Sequence, residues 1–151
     1  MENQTNLELN AQAEDALRVS AKWSMFLAIM GFIGIAFMII AAFLMTSAMS
    51  AIPDDAYGNS PFGAIKGYIS VVYFFMAAIY FVPVYYLFKY ASGMKDALAV
   101  RNSDMVSEAL VFLKSHHKFL GIMMIVLISL YILIIIGMVV FFASMGATGG
   151  M

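Results

Sequence analysis

The two histidines of the chain, His116 and His117, stand together between Lys114 and Lys118, and they are the residues whose types could do chemistry. Histidine binds metals and transfers protons near neutral pH. Adjacent helical residues point about 100° apart, so the pair cannot chelate one ion together. Zinc needs further ligands, and no other His and no Cys supplies them. We predict no catalytic, cofactor or metal site; the four residues contact anionic lipid headgroups, with a pH sensor as the open alternative.

Composition places these residues beside a membrane. Of the 151 residues, 64% are hydrophobic and 11% are charged, whereas soluble domains average about 45–50% apolar and about 25% charged. A soluble chain of this size cannot bury so much apolar surface in one core. The net charge of −1 predicts no nucleic-acid partner. Because cysteine is absent, the chain has no disulfide, thiolate site or cysteine nucleophile.

Three uncharged, apolar stretches are long enough to cross the hydrocarbon as helices: residues 23–52, 67–88 and 119–143. A helix is required in each because the bilayer offers no partner for free backbone N–H and C=O groups. The sequence therefore predicts an all-α integral membrane protein with three transmembrane helices. We expect one membrane domain over residues 1–151, with a cytoplasmic leader, 1–22, and a cytoplasmic loop, 89–118.

The distribution of Lys and Arg predicts the orientation of the spans. Of the eight basic residues, all but Lys66 fall in the leader or in the loop between the second and third spans. Cytoplasmic segments are enriched in Lys and Arg. We therefore expect the N-terminus in the cytoplasm and, because the number of spans is odd, the C-terminus on the other side of the membrane.

The leader has the pattern of an amphipathic helix. From Leu9 to Trp23, apolar residues including Trp23 fall on one face, and Arg18 and Lys22 fall on the other. Glu14 precedes Arg18 by four residues, which favours a helix. We predict a helix that lies at the cytoplasmic surface, with Trp23 anchored at the interface and Arg18 and Lys22 near headgroups. A plain solvated helix is the open alternative.

The cytoplasmic loop predicts a second amphipathic helix. The second helix should run on to Val100, and Asn102, Ser103 or Asp104 should cap a new one. From Met105 to Leu113 the apolar residues share a face. This face must be buried in the headgroup boundary, against the leader or against a partner.

Inside the spans, small and aromatic residues indicate where helices pack. Gly31 and Gly34 permit close approach in the first span, and Pro83 should kink the second. Tyr73 and Tyr80, one heptad apart, form a packing stripe or, alternatively, part of a ligand pocket. Nearer the cytoplasm we predict an aromatic belt, with Lys89 extending its amine to the interface beside it; its members are Tyr85, Tyr86 and Tyr90.

Three short segments carry a resemblance to a known family: AKW at residues 21–23, KDAL at 95–98 and LKSHHKFLGI at 113–122. With the apolar runs between them, they make most of the chain resemble a family of small uncharacterised membrane proteins, defined by a domain of unknown function and found mostly in Bacteroidota. The resemblance implies three spans in a bacterial inner membrane. Together with the orientation predicted from Lys and Arg, this places the C-terminus in the periplasm. It implies no catalytic or binding residues.

These patterns favour a function without catalysis. The spans contain no charged side chain and no nucleophile–base pair. We predict a non-enzymatic accessory, scaffold or lipid-interacting protein whose partners are membrane lipids and either itself or another membrane protein. The alternative is a subunit of an oligomeric small transporter or channel, built around Tyr73, Tyr80 and Pro83.

Overall fold

The computed structural model of the chain describes residues 10–53 and 68–148. These residues form three α-helices, α1 (Ala11–Ser50), α2 (Ile69–Val100) and α3 (Ser103–Thr148). Each is long and apolar enough to cross a membrane. The predicted all-α fold with three transmembrane helices is therefore confirmed. The first residues of the leader, including Leu9, and the start of the second predicted span at Gly67 lie outside the described residues.

Helix α1 corrects the prediction of a leader helix that lies along the membrane surface. Its 40 residues run without a break through Lys22 and Trp23, and at 1.5 Å per residue they span about 60 Å. A turn into the membrane would leave several backbone N–H and C=O groups without partners, and no Gly, Pro or capping sequence interrupts AKWS at 21–24 to provide for them. The leader therefore continues the first span as one helix.

Helices α1 and α2 pack side by side and run antiparallel. The ring of Phe43 lies 5.4 Å from that of Phe74, and the ring of Phe32 lies 5.8 Å from that of Phe81. As the residue number of the contact decreases along α1, the residue number of its partner in α2 increases. Because α1 begins and α2 ends well outside their predicted spans, the two extensions lie beside each other at the same end of the pair.

The face that α1 buries follows a coiled-coil spacing of three, four and seven residues. Most of its members are small, which lets the helix backbones approach closely; the buried residues are Ala21, Ser24, Ala28, Ile35 and Ala42. In the leader this places Ala21 inside and leaves Trp23 64% exposed. Trp23, which the sequence places on the apolar face of the leader, therefore lies outside the buried face, and its anchoring at the interface stays a prediction.

A two-residue turn joins α2 to α3. Helix α2 ends at Val100, as predicted, and Arg101 follows in the left-handed conformation with φ 53°. The Asn102 N–H donates to the Ala97 carbonyl at 3.1 Å. The Asn102 Oδ1 then accepts from the backbone N–H of Asp104 at 2.9 Å and of Met105 at 3.2 Å. Asn102 is thus the N-cap among the three predicted candidates.

The structure falls into two compact units, Met1–His116 and His117–Met151, and the single membrane domain expected over residues 1–151 stays a prediction. In the first unit, the extensions of α1 and α2 and the first turns of α3 share a core. We call it the head core, and its buried members are Ala21, Tyr90, Met94, Ala97, Leu98, Val106 and Ala109. In the second unit, Ser129 Oγ donates to the Ile125 carbonyl at 2.8 Å, so this hydroxyl is satisfied within its own helix.

Candidate functional site

The head core explains why α1 and α2 stay helical beyond the ends of their predicted spans. Tyr90 and Met94 are its largest fully buried side chains. The Tyr90 hydroxyl lies 3.0 Å from Ser20 Oγ, so the polar end of the ring is satisfied by a hydrogen bond between α2 and α1. Tyr90 is only 1% exposed, which corrects its predicted place in an interfacial aromatic belt.

The apolar stripe of the first turns of α3 packs against the same core. Val106 and Ala109 are buried there, and Met105, Phe112 and Leu113 are packed around them. Among the three alternatives for this stripe, burial within the chain is what the structure shows. The reason is geometric, since the two-residue turn after Val100 brings the first turns of α3 back against the end of α2.

A cavity of about 470 Å³ opens between α1 and α2 beside the head core. Three basic residues line it, namely Arg18, Lys22 and Lys95, and the remaining lining is apolar. Its apolar lining residues are Ala21, Met25, Ala91, Leu98 and Ala99. In the part of the chain that the structure describes, no acidic residue lines the cavity, and the volume of the cavity falls within the range of small-molecule sites.

The three cations of the cavity differ in how they are neutralised. Arg18 Nη2 donates to Glu14 Oε1 at 3.0 Å, one helical turn earlier, as the spacing of this pair predicted. Lys22 and Lys95 have no ion pair within residues 10–53 and 68–148. Among the described residues, these two positive charges therefore have no protein counter-charge, and they lie beside an apolar surface.

His116 makes a contact that the sequence did not predict, while its headgroup contact stays a prediction. Its Nδ1 lies 2.8 Å from the backbone carbonyl oxygen of Pro83 in α2. A carbonyl only accepts hydrogen bonds, so Nδ1 carries the proton. Both the neutral Nδ1–H form and the imidazolium can donate here, and the contact itself therefore requires no charge on the ring. His116 joins α3 to α2 inside the protein.

The other residues predicted at the lipid interface lie on the surface of their units. Lys114 is exposed in the first unit, and His117 and Lys118 are exposed in the second. Lys89 is exposed, with its Nζ 5.8 Å from the centre of the Tyr85 ring. Trp23 is also exposed, and its ring meets that of Phe26 edge-on at 6.1 Å. For these residues, headgroup contact stays a prediction.

Of the two glycines predicted to permit close helix packing, only Gly31 lies in the contact between α1 and α2. A Cβ atom at Gly31 would lie 2.7 Å from Val84 Cγ2, whereas one at Gly34 would have nothing within 4 Å in the part of the chain that the structure describes. Gly31 therefore marks the close approach of α1 and α2. The structure does not place Gly34 in that interface, and its packing against another copy stays a prediction.

The second span continues through Pro83, which lies buried inside the unbroken helix α2. Tyr73 is half-buried, and Tyr80 is 47% exposed. The two tyrosines thus contribute unequally to the predicted packing stripe. The ligand pocket that they offered as an alternative stays a prediction, and so does the kink at Pro83.

Sequence reasoning missed Lys95 as a site residue and found only part of the pattern in Arg18 and Lys22. The available signal was spacing. Arg18 and Lys22 are four residues apart on either side of Ala21, and Lys95 directly follows Met94, so each basic residue lies close to a residue of the head core. Within the described ranges, no group of three His, Asp or Glu side chains could hold a metal ion.

Comparison with known proteins leaves the family of this chain undetermined. No protein-family model, no curated protein and no solved structure matches it. The resemblance to small membrane proteins of Bacteroidota stays a prediction.

Proposed function

We propose that this chain is a non-enzymatic accessory or scaffold protein of a bacterial inner membrane. Its three spans hold a small helical head at the cytoplasmic surface, and the protein assembles there with anionic lipid and with another copy or a membrane partner. The observation that carries the proposal is the head core. Side chains from α1, α2 and α3, with Tyr90 and Met94 among the buried members, build a compact core, and the predicted spans leave most of that core on the cytoplasmic side.

The surface available to a partner lies on the outer side of the head. Most apolar side chains from Met105 to Leu113 pack in or against the head core. Leu110 and Val111, by contrast, are 40% and 57% exposed. On α1, Val19 is 45% exposed. Apolar side chains at such positions supply contact area for a neighbouring helix, and their partial exposure leaves that area open.

In-cell crosslinking with a photoreactive amino acid tests the assembly. We place the probe at Val111 or, in a matched variant, at Val19, because both are exposed valines on different helices of the head. A discrete protein adduct from Val111, identified by mass spectrometry as a second copy or a membrane protein, is the expected result. Adducts with lipid alone from both positions would refute the scaffold role.

The orientation is tested separately with fusions to alkaline phosphatase, which is active only outside the cytoplasm. We expect a fusion after Ser144 to be active and a fusion after Arg101 to be inactive, because basic residues favour the cytoplasmic side. The reverse pattern would contradict the orientation.

The alternative of a transporter or channel subunit stays a prediction, and a strictly monomeric protein would exclude it.

A further inference from the structure

The cavity between α1 and α2 combines two properties that call for one kind of ligand. Lys22 and Lys95 bring positive charge without an ion pair among the described residues, and Arg18 adds a cation that is partly neutralised by Glu14. The rest of the lining is apolar. A ligand that satisfies both surfaces must carry an anionic group next to an apolar body.

The depth of the cavity matches the headgroup layer of a bilayer. Lys22 directly precedes Trp23, where the first predicted span begins. Lys95 stands seven residues beyond Phe88, the end of the second predicted span, which is about 10 Å along a helix. The headgroup layer of each leaflet is about 5–8 Å thick, and lysine can extend its amine several ångströms along the helix to reach it.

We propose that this cavity binds an anionic phospholipid, with its phosphate between Lys22 and Lys95 and its upper acyl region against the apolar lining around Met25. Lysine binds phosphate as a point charge, and Arg18 offers further donors to phosphate oxygens. A zwitterionic lipid also carries a cation, which the two lysines repel. The site deepens the proposed function, on which it rests for placing this end of the helices at a membrane surface.

Trp23 provides a direct reporter of the lipid beside the cavity. It is the one tryptophan of the chain, it adjoins Lys22, and it is 64% exposed. The full-length protein is reconstituted in phosphatidylcholine vesicles that contain a small, fixed fraction of brominated phosphatidylglycerol or, in parallel, brominated phosphatidylcholine. Bromine quenches tryptophan at short range, so the ratio of the two quenching curves measures the preference for the anionic lipid.

The lysine variants determine whether that preference belongs to the cavity. A basic residue near an anionic lipid surface contributes about fivefold in affinity. Lys22→Gln and Lys95→Gln should each lower the preference about fivefold. Lys22→Arg and Lys95→Arg should retain it. Lys89→Gln is the matched control for general surface charge, because Lys89 is an exposed lysine of the same helix as Lys95 that is predicted to contact headgroups but does not line the cavity. Its loss of preference should be clearly smaller than that of Lys95→Gln.

Each other result of the experiment overturns the proposal. Equal quenching by the two brominated lipids would show that no anionic lipid is selected. An equal loss in Lys89→Gln and Lys95→Gln would assign the preference to general surface charge. Displacement of the brominated lipid by inorganic phosphate, at constant ionic strength, would make the cavity a site for free phosphate. Displacement by polyglutamate would make it a site for an acidic peptide.

The lipid site and the scaffold role can fail separately. Crosslinking from Val111 does not depend on Lys22 or Lys95. If Val111 crosslinks to a protein while the quenching ratio stays at one, the lipid site is wrong and the scaffold role stands. If the quenching preference is present without protein adducts, the lipid site stands and the scaffold role is wrong.

Discussion

The close contact between Gly31 and Val84 predicts opposite effects for two similar substitutions in α1. A Cβ atom at Gly31 would lie 2.7 Å from Val84 Cγ2 and 3.0 Å from Val84 Cγ1. Valine has a stiff χ1, and both of its methyl groups are in the way. Gly31→Ala must therefore push the helices apart locally by about 0.7 Å to restore ordinary contact, which begins near 3.4 Å. Gly34→Ala meets no described atom within 4 Å.

The expected free energies follow from two opposing effects. Replacing glycine by alanine inside a helix stabilises it by about 1 kcal/mol. Overpacking a tight interface destabilises by about 1–3 kcal/mol. Gly34→Ala should therefore raise the free energy of unfolding by about 1 kcal/mol, whereas Gly31→Ala should be neutral or lower it by up to about 2 kcal/mol.

Unfolding by sodium dodecyl sulfate in mixed micelles, followed by circular dichroism, measures both variants. The double variant Gly31→Ala with Val84→Ala isolates the contact, since removal of the two methyl groups makes room for the new Cβ. A double-mutant cycle should then give a favourable coupling of about 0.5–3 kcal/mol. Equal stability of Gly31→Ala and Gly34→Ala, or a coupling of zero, would refute the packing of α1 on α2 at this position.

Three further predictions concern the turn after α2 and the contact of α3 with it. Asn102→Ala should destabilise the head by about 1 kcal/mol because two backbone N–H groups lose their acceptor, while Asn102→Asp should preserve the cap; the same unfolding assay compares them. Arg101→Gly should stabilise by about 1 kcal/mol relative to Arg101→Ala, since only glycine adopts the left-handed conformation without strain. His116→Ala should lower stability by about 1 kcal/mol, and His116→Asn, whose amide can donate from a position near Nδ1, should recover part of the loss. Equal stability of the two His116 variants would count against the bond to the Pro83 carbonyl.

The fold could be predicted from the sequence wherever local chemistry is decisive. An uncharged apolar stretch of about 20 residues must be helical in lipid, whatever it packs against. The end of α2 at Val100 and the cap at Asn102 were predictable because a capping side chain acts on backbone groups two or three residues away. These features depend on neighbours in the chain and not on partners from other helices.

The head core could not be predicted in the same way. The sequence shows that the leader and the first turns of α3 are amphipathic. Amphipathicity indicates only that one apolar face must be buried, and it does not indicate against what. Lipid, another copy or another helix can each cover that face. The pairing of α1 with α2 decides among them, because it places the two helical extensions side by side where α3 can pack against them.

Tyr90 and His116 show that the partner of a polar side chain could not be predicted from the sequence either. A tyrosine or histidine near the end of a span satisfies the pattern of an interfacial anchor, since its polar tip needs water or headgroups. The same tip is satisfied equally well by Ser20 Oγ or by the Pro83 carbonyl. Which partner it finds depends on groups from 33 to 70 residues away along the chain.

The sequence by itself determined that three helices are long and apolar enough to cross a membrane and where the turn between α2 and α3 begins, because lipid and backbone hydrogen bonding act locally. It also carried the charge pattern that predicts the orientation. Only the tertiary structure decided which helix faces meet, that Gly31 and not Gly34 lies in the α1–α2 contact, and that Arg18, Lys22 and Lys95 line one cavity. Those outcomes depend on the register of two long helices, which is set by the fit of side chains across their whole interface.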